Sequence, residues 1–315
     1  MLRGLKMGNG LNSKKTGMST KKKEKLFFYC VMVTLPLIQF AVFYIYVNIQ
    51  SFVLAFQKYS NETFTYSFAG LTNFIQIFKD FRTTQELQAS IVNSLTLYIW
   101  TLLFGALLAV FFSYYIYKKN VGSMAFKILL YLPQILGGVV VVVMYKFFLE
   151  DCIPAIYSMI FKKSIPGLLT NPQTERAMII FFSIYVGFGT RILVYSSAMS
   201  GIPDSIIESA QLDGVTPFKE LVFIVIPSIW GTFVTFMVSS IMAIFTDQMS
   251  LFTFYGQDAS PHLYTFGYYL YRGAKVAKNV DYPYLSAMGM MLTLIVTPMT
   301  LFARWAMNKY GPSKE

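Results

Sequence analysis

Six long apolar stretches dominate this chain, and five of them contain no Asp, Glu, Lys or Arg. The charge-free stretches are residues 26–57, 87–117, 128–145, 221–246 and 282–303. The sixth, residues 177–203, is interrupted only by Arg191. A helix of about 20 apolar residues crosses the ~30 Å hydrocarbon core of a bilayer. The sequence therefore predicts an all-α polytopic membrane protein with six transmembrane helices.

The distribution of basic residues predicts the orientation of these helices. The net charge is +11, which by itself is also typical of nucleic-acid-binding proteins. If the amino terminus is cytoplasmic, the inner segments carry 15 Lys and Arg, and the longer outer loops carry ten. Membrane proteins keep such an excess on the cytoplasmic side. We therefore expect a multi-pass protein with both termini in the cytoplasm and no nucleic acid partner.

The segments outside the apolar stretches predict the domain organisation. Residues 1–25 are polar and basic, and we expect a disordered cytoplasmic tail. Residues 26–310 form one membrane domain, followed by a short tail, 311–315. In the outer loop 58–90, apolar residues at helical spacing near 70–78 indicate either a short helix at the membrane interface or an ordinary connector. In the outer loop 146–176, Pro and Gly predict repeated turns rather than long helices.

One inner loop departs from the positive charge of the others. Between the fourth and fifth stretches the chain has a single basic residue, Lys219, and four acidic ones: Asp204, Glu208, Asp213 and Glu220. Pro203 suits the start of a helix, and Gly214 suits its end. A second short helix is predicted near Thr216, and Pro227 marks the beginning of the next span. The pattern predicts two short helices joined by a glycine turn at the cytoplasmic face.

The same loop carries a recognisable motif. Residues 208–214 read Glu-Ser-Ala-Gln-Leu-Asp-Gly, and after nine further residues comes Ile-Val-Ile-Pro at 224–227. This run resembles the EAA loop of type I ABC import permeases, usually E-A-A-x₃-G-x₉-I-x-L-P. Ser209 replaces the first Ala and Ile226 replaces Leu, and both changes preserve the spacing. We refer to residues 203–227 as the EAA loop.

The resemblance extends over nearly the whole chain. Gly70-Leu71, Asn93-Ser94, Leu132-Pro133, Asn171-Pro172 and Ile202-Pro203 stand where carbohydrate permeases similar to the larger maltose-transporter membrane subunit carry comparable residues. The large extracellular insertion of that subunit is missing. The chain therefore resembles a first-type sugar permease of the bacterial cytoplasmic membrane, and a type I ABC importer permease fold is implied.

This resemblance implies a set of partners. A second permease would complete a heterodimer, two ATPase subunits would bind ATP and magnesium, and an extracellular solute-binding protein or lipoprotein would deliver a carbohydrate. The chain contains no G-x-x-x-x-G-K-[ST] phosphate loop, so we expect a transport subunit with no cofactor and no catalytic residues of its own. The residues implied in ATPase coupling are Glu208, Ser209, Ala210, Asp213, Gly214 and Pro227.

The resemblance also implies residues along a substrate path: Gln134, Gly138, Gly187, Thr190, Ser240 and Asp247. Glycines in membrane helices commonly serve helix packing, and Ser or Thr commonly bonds its own backbone. A purely structural role is therefore the alternative to substrate contact for the Gly, Ser and Thr residues in this set. Arg191 is added because a cation inside a span is costly, at about 3 kcal/mol near the centre. It either pairs with Asp247 or lines an aqueous cavity.

Three other functions compete with a sugar importer. An ABC permease for a sugar phosphate would use more cationic side chains in the cavity than Arg191 alone. A secondary transporter or channel predicts inverted repeats and broken helices rather than an acidic EAA-like loop. A membrane enzyme needs a cluster of reactive side chains, and the sequence has a single histidine, His262, in an outer loop. We expect no metal site.

Overall fold

The computed structural model describes residues 20–312. Most of the predicted basic tail, residues 1–19, and residues 313–315 at the carboxyl end lie outside the described residues. The first helix, α1, begins at Thr20, so residues 20–25 are helical rather than disordered. The chain divides into two compact units, Met1–Val53 and Leu54–Glu315.

The first unit is helical. Its elements are α1 (Thr20–Phe40), a π-helical turn (Ala41–Tyr46) and α2 (Val47–Ala55), which ends two residues inside the second unit. Large apolar side chains along this helix, such as Phe27, Leu35 and Phe43, are exposed. This is the surface expected of a helix that is solvated by lipid.

The second unit opens with a hairpin that the sequence did not predict. Strands β1 (Gln57–Ser60) and β2 (Thr65–Phe68) pair antiparallel, with Gln57 opposite Phe68. Helix α3 (Thr72–Thr83) follows, so of the two interpretations of this loop the short helix is found. The Asn73 amide ties α3 to the start of the hairpin, because it donates to the carbonyls of Ala55 and Gln57, each at 2.8 Å.

The third apolar stretch is sharply bent. Helix α4 (Gln85–Tyr117) precedes it. The bent span that contains this stretch comprises α5 (Ser123–Ile135), α6 (Gly138–Phe147), a π-helical turn (Phe148–Cys152) and α7 (Ile153–Phe161). The helix axes before and after Leu136 and Gly137 are bent by 108° relative to each other, because both residues have extended backbone. The prediction of turns in residues 146–176 holds for residues 162–174. It was wrong for residues 146–161, where helix continues to Phe161 because Pro154 lies in the first turn of α7, where a missing amide is harmless.

The EAA loop and a second bent span follow α8 (Glu175–Met199). The elements are α9 (Asp204–Leu212), α10 (Pro217–Glu220), a π-helical turn (Leu221–Val225), α11 (Ile226–Ser228) and α12 (Trp230–Ala243). The chain bends by 77° at Ile229, just after Pro227. The remaining elements are α13 (Leu251–Tyr255), a 3₁₀ turn (Pro261–Leu263), α14 (Phe266–Val276) and α15 (Tyr282–Tyr310).

Residues 20–312 contain four helices that are long and apolar enough to cross a membrane, and six if each bent pair counts as one span. The six predicted spans are confirmed on that reading. In the second unit, α8 packs against α4 and α5, and α15 packs against α12 and α3. The buried core near the EAA loop includes Ala109, Tyr195, Met199 and Leu221.

Candidate EAA loop and substrate path

The EAA loop has the predicted shape. Helix α9 starts after Pro203, with Asp204 in its first turn, and α10 starts with Pro217. Gly214 lies between them with φ of +72°, a conformation that side chains other than glycine rarely adopt. A Cβ at Gly214 would meet no described atom within 4 Å, so backbone conformation rather than space requires glycine there.

The outward face of this loop combines negative charge with apolar surface. Glu208, Ser209 and Asp213 are exposed. Leu212 and Phe218 are 89% and 64% exposed, which is unusual for side chains of this size. Such an acidic surface with unpartnered apolar side chains is typical of a protein docking site.

The opposite face of the loop is part of the core. Ala210 and Ile207 are each 7% exposed, and Ile207 packs in the same buried cluster as Tyr195 and Met199 of α8. Ala210 also closes the glycine turn, because its carbonyl accepts from the Val215 amide at 3.0 Å. This face therefore joins the loop to the spans beneath it.

Glu220 differs from the other three acidic residues of the loop. It is 2% exposed, and its carboxylate lies 2.6 Å from the Lys118 ammonium just beyond α4. The Tyr114 hydroxyl donates to the same carboxylate at 3.1 Å. The sequence grouped Glu220 with the exposed acids, but the structure assigns it to an anchor between α10 and α4. Pro227 lies in α11, next to the bend of the fifth span.

Arg191 and Ser240 form a polar contact inside the bundle. The Arg191 guanidinium on α8 donates to the Ser240 hydroxyl on α12 at 2.9 Å, and Ser240 is 5% exposed. Gly105 of α4 leaves room for the guanidinium, since a Cβ there would lie 3.1 Å from Nη1. Tyr98 of α4 also lies beside this contact. Neither Gly105 nor Tyr98 stands out from the other residues of its apolar stretch, so sequence reasoning missed both.

Asp247 lies near Tyr98, as Arg191 does, but it takes no part in the hydrogen bond between Arg191 and Ser240. Among residues 20–312 no ion pair joins it to Arg191, so of the two roles considered for Arg191 the pairing with Asp247 is not found. Asp247 is exposed, and its Oδ1 accepts from the Met249 amide at 2.8 Å. A Cβ at Gly267 would come within 2.6 Å of the Asp247 carbonyl, so α14 begins in close contact with this turn.

The other predicted path residues lie on α5, α6 and α8. Gln134 is exposed near the bend, and its side chain packs on Gly189 of α8. A Cβ added at Gly189 would lie 2.9 Å from the Cβ of Gln134. Gly138 and Thr190 are exposed, and Gly187 is half-buried. A Cβ at Gly138 or Gly187 would meet no described atom within 4 Å, so neither glycine is required for packing inside this part of the chain. The structure thus brings Gln134 to α8 and Ser240 to Arg191.

The outer-loop histidine has a structural partner. His262 Nε2 contacts the carboxylate of Glu175, which is 2% exposed, and Ser260 donates to the same carboxylate at 3.3 Å. In the part of the chain that the structure describes, no group of three or more His, Cys, Asp or Glu side chains is placed to hold a metal ion.

Comparison with known proteins shows the family of the chain. The model of the family described as "Binding-protein-dependent transport system inner membrane component" matches residues 101–314. The chain belongs to this family. The match contains the EAA loop and every predicted path residue, and it identifies the chain as an inner-membrane transport subunit rather than an enzyme.

Relatives and solved structures agree with this assignment. The multiple sugar-binding transport system permease protein MsmF of Streptococcus mutans is 21% identical over 89% of this chain and 94% of its own length. The arabinooligosaccharides transport system permease protein AraP of Bacillus subtilis is 21% identical, with 86% of each chain covered. A chain from the crystal structure of a bacterial ABC transporter involved in alginate import has a TM-score of 0.74 at 22% identity, covering 92% of this chain and 98% of that one. This is the type I ABC permease fold.

Proposed function

We propose that this protein is a permease subunit of an ATP-driven importer for carbohydrate, most simply an oligosaccharide. The family match supports a binding-protein-dependent transport subunit. The names of the two relatives described above, MsmF and AraP, are those of sugar permeases. The observation that supports coupling to an ATPase is the structure of the EAA loop. Its exposed face carries acidic and apolar side chains, and its opposite face is buried in the core.

Coupling requires a partner that supplies the energy. Two cytoplasmic ATPases, which bind ATP and magnesium, each seat one such loop, one from this chain and one from a second permease. Glu208 and Asp213 pair with basic side chains of the ATPase cleft, and Leu212 and Phe218 fill its apolar part. Because Ala210 and Ile207 are packed in the core, closure of the ATPases tilts α8 and the fifth span. With this loop in the cytoplasm and six spans, we propose that both termini are cytoplasmic.

The substrate path lies between this chain and the second permease. Gln134, Thr190 and Asp247 offer amide, hydroxyl and carboxylate groups from exposed positions, and these groups suit sugar hydroxyls. Gly138 and Gly187 leave open space at the same helices. An external binding protein or lipoprotein delivers the sugar. A structurally similar chain, with a TM-score of 0.73 at 22% identity, comes from the crystal structure of a bacterial alginate ABC transporter in complex with alginate pentasaccharide-bound periplasmic protein.

Arg191 bears on the alternative substrate, a sugar phosphate. Its guanidinium already donates to Ser240, and the spans as predicted contain no second cationic residue. A dianionic substrate is better held by several cations, so this arrangement favours a neutral sugar. The two bent spans fit a secondary transporter equally well, but the family is one of binding-protein-dependent systems.

The substrate proposal is tested by uptake. The chain is reconstituted with its second permease, ATPases and binding protein, and ATP-dependent uptake of labelled oligosaccharides, monosaccharides and glycerol phosphate is compared. We expect uptake of an oligosaccharide. Uptake of glycerol phosphate alone, or uptake of any solute without ATP, would contradict the proposal.

A further inference from the structure

A cavity of about 460 Å³ lies between α4, α5 and α8, at the same end of the bundle as the EAA loop, and apolar side chains such as Ile116 and Leu193 form much of its wall. Its wall carries two lysines and four serines: Lys119, Lys127, Ser123, Ser196, Ser197 and Ser200. No carboxylate lines it among the described residues. Nothing in the proposed coupling or substrate path uses this cavity.

The two ammonium groups are available for a ligand. Between residues 20 and 312, neither Lys119 nor Lys127 forms a salt bridge or donates a side-chain hydrogen bond, whereas the neighbouring Lys118 is held by Glu220. The hydroxyls of Ser123 and Ser197 likewise have no protein partner within that range, while Ser196 and Ser200 bond their own helix. A cavity with net positive charge and free hydroxyl donors favours an anion with several oxygens.

The backbone adds to this preference. Helix α5 begins at Ser123, on the cavity wall, and Lys127 lies one turn further on the same face. The amides of Met124 and Ala125 in the first turn have no backbone acceptor in the described part of the chain. Such a helix start favours phosphate through its free amides and its dipole. Lys119 has φ of +53° because it ends α4, and its amide donates to the Ile116 carbonyl at 3.0 Å.

An apolar stripe leads away from the cavity along α5. Met124 lines the cavity and is 70% exposed, and Ile128 and Ile135 continue the same side of the helix at 54% and 65% exposed. A ligand that has an anionic head next to an apolar tail matches this arrangement. A basic, hydroxyl-rich cavity between spans is also the kind of site in which anionic lipid headgroups bind.

We propose that this cavity binds a phosphate group, and that the group is the headgroup of an anionic phospholipid whose acyl chains follow the stripe on α5. The contact goes beyond the proposed transport function and fixes the start of α5 against the end of α8. It does not depend on the ATPase, so it is tested on the full chain alone.

The test is a lipid titration followed by native mass spectrometry of the detergent-purified full chain. The probes are phosphatidylglycerol, phosphatidylcholine and inorganic phosphate. We expect the double variant Lys119→Gln, Lys127→Gln to bind phosphatidylglycerol about tenfold more weakly or worse, because each lysine near a lipid headgroup contributes on the order of a fewfold in affinity. Phosphatidylcholine binding is expected to be unchanged.

The matched control is the double variant Lys162→Gln, Lys163→Gln. Both lysines are exposed, and Lys162 also has a positive φ, of +51°, but they lie at the end of α7. The variant Lys119→Arg, Lys127→Arg is expected to retain binding, which shows that the fold tolerates change at these positions. Equal loss in the glutamine variant and the control, or no loss in either, would overturn the site. Binding of inorganic phosphate with no measurable binding of phosphatidylglycerol would retain the phosphate site but overturn the lipid as its ligand.

Discussion

The Lys118 ammonium and the Glu220 carboxylate lie 2.6 Å apart, and they join the end of α4 to the second helix of the EAA loop. Glu220 is almost fully buried, whereas about a quarter of the Lys118 side chain is exposed. Removing one partner of such a pair leaves an uncompensated buried charge, which is the costly case for ion pairs. This contact therefore fixes α10 to the bundle.

Lys118→Met is expected to destabilise the protein. The carboxylate of Glu220 would keep Tyr114 but lose its cation, and we expect the free energy of unfolding to fall by about 3 kcal/mol. Thermal melting of the purified chain measures this, with exposed Lys163→Met as the control. The reciprocal exchange Lys118→Glu, Glu220→Lys is expected to recover part of the loss. Equal melting of Lys118→Met and the control would show that the pair contributes nothing.

Gly214 is expected to tolerate Asn better than Val. Its φ of +72° costs about 1 to 2 kcal/mol for an ordinary side chain, less for Asn and more for a branched one. Because a Cβ would meet open space, any defect arises from the backbone turn and not from a clash. Co-purification of the ATPase with each variant checks this. Equal retention with Asn and Val would remove the role assigned to the turn.

Ser240→Ala is expected to weaken the bundle, and Ser239→Ala is not. The first change leaves the partly buried Arg191 guanidinium without its acceptor, at a cost of about 2 kcal/mol. Ser239 is exposed and bonds only the Thr235 carbonyl of its own helix at 2.9 Å, so it serves as a matched control. Melting temperatures of the two variants measure the difference, and the same shift in both would contradict the assignment.

Asp247→Asn is expected to impair transport without disturbing the fold. Asparagine keeps the Oδ1 that accepts from the Met249 amide, but it lacks the negative charge that strengthens bonds to sugar hydroxyls. We expect the KM for sugar uptake to rise about tenfold while melting stays unchanged. Exposed Asp258→Asn is the control. Unchanged uptake kinetics in Asp247→Asn would exclude this residue from the path.

The apolar stretches predicted the six spans because lipid solvation requires long runs of apolar residues whatever the tertiary structure. The bends at residues 136 and 229 could not be predicted in the same way. Pro133 and Pro227 stand near the two bends, yet Pro36 and Pro298 lie inside helices that continue without a break. Whether a proline ends or merely kinks a helix depends on the neighbours that satisfy the freed carbonyl groups.

The EAA loop was predictable because its signals are local: a proline start, a glycine end and fixed spacing. That Glu208 is exposed and Glu220 buried could not be predicted, because the partner of Glu220, Lys118, is distant along the chain. The same holds for Arg191 and Ser240, which come from different spans. Sequence patterns identify which groups are costly in a membrane, and only the packing of helices shows which groups compensate them.

Glu208→Lys in the reconstituted complex tests the central claim most directly. The claim is that this exposed loop couples the chain to a separate ATPase, and the control is Glu24→Lys, an exposed acid on α1. We expect substrate-stimulated ATP turnover to fall at least tenfold, about 1.4 kcal/mol or more, in Glu208→Lys and to stay normal in the control, with both proteins present in the membrane. Normal stimulated turnover in Glu208→Lys would contradict the account.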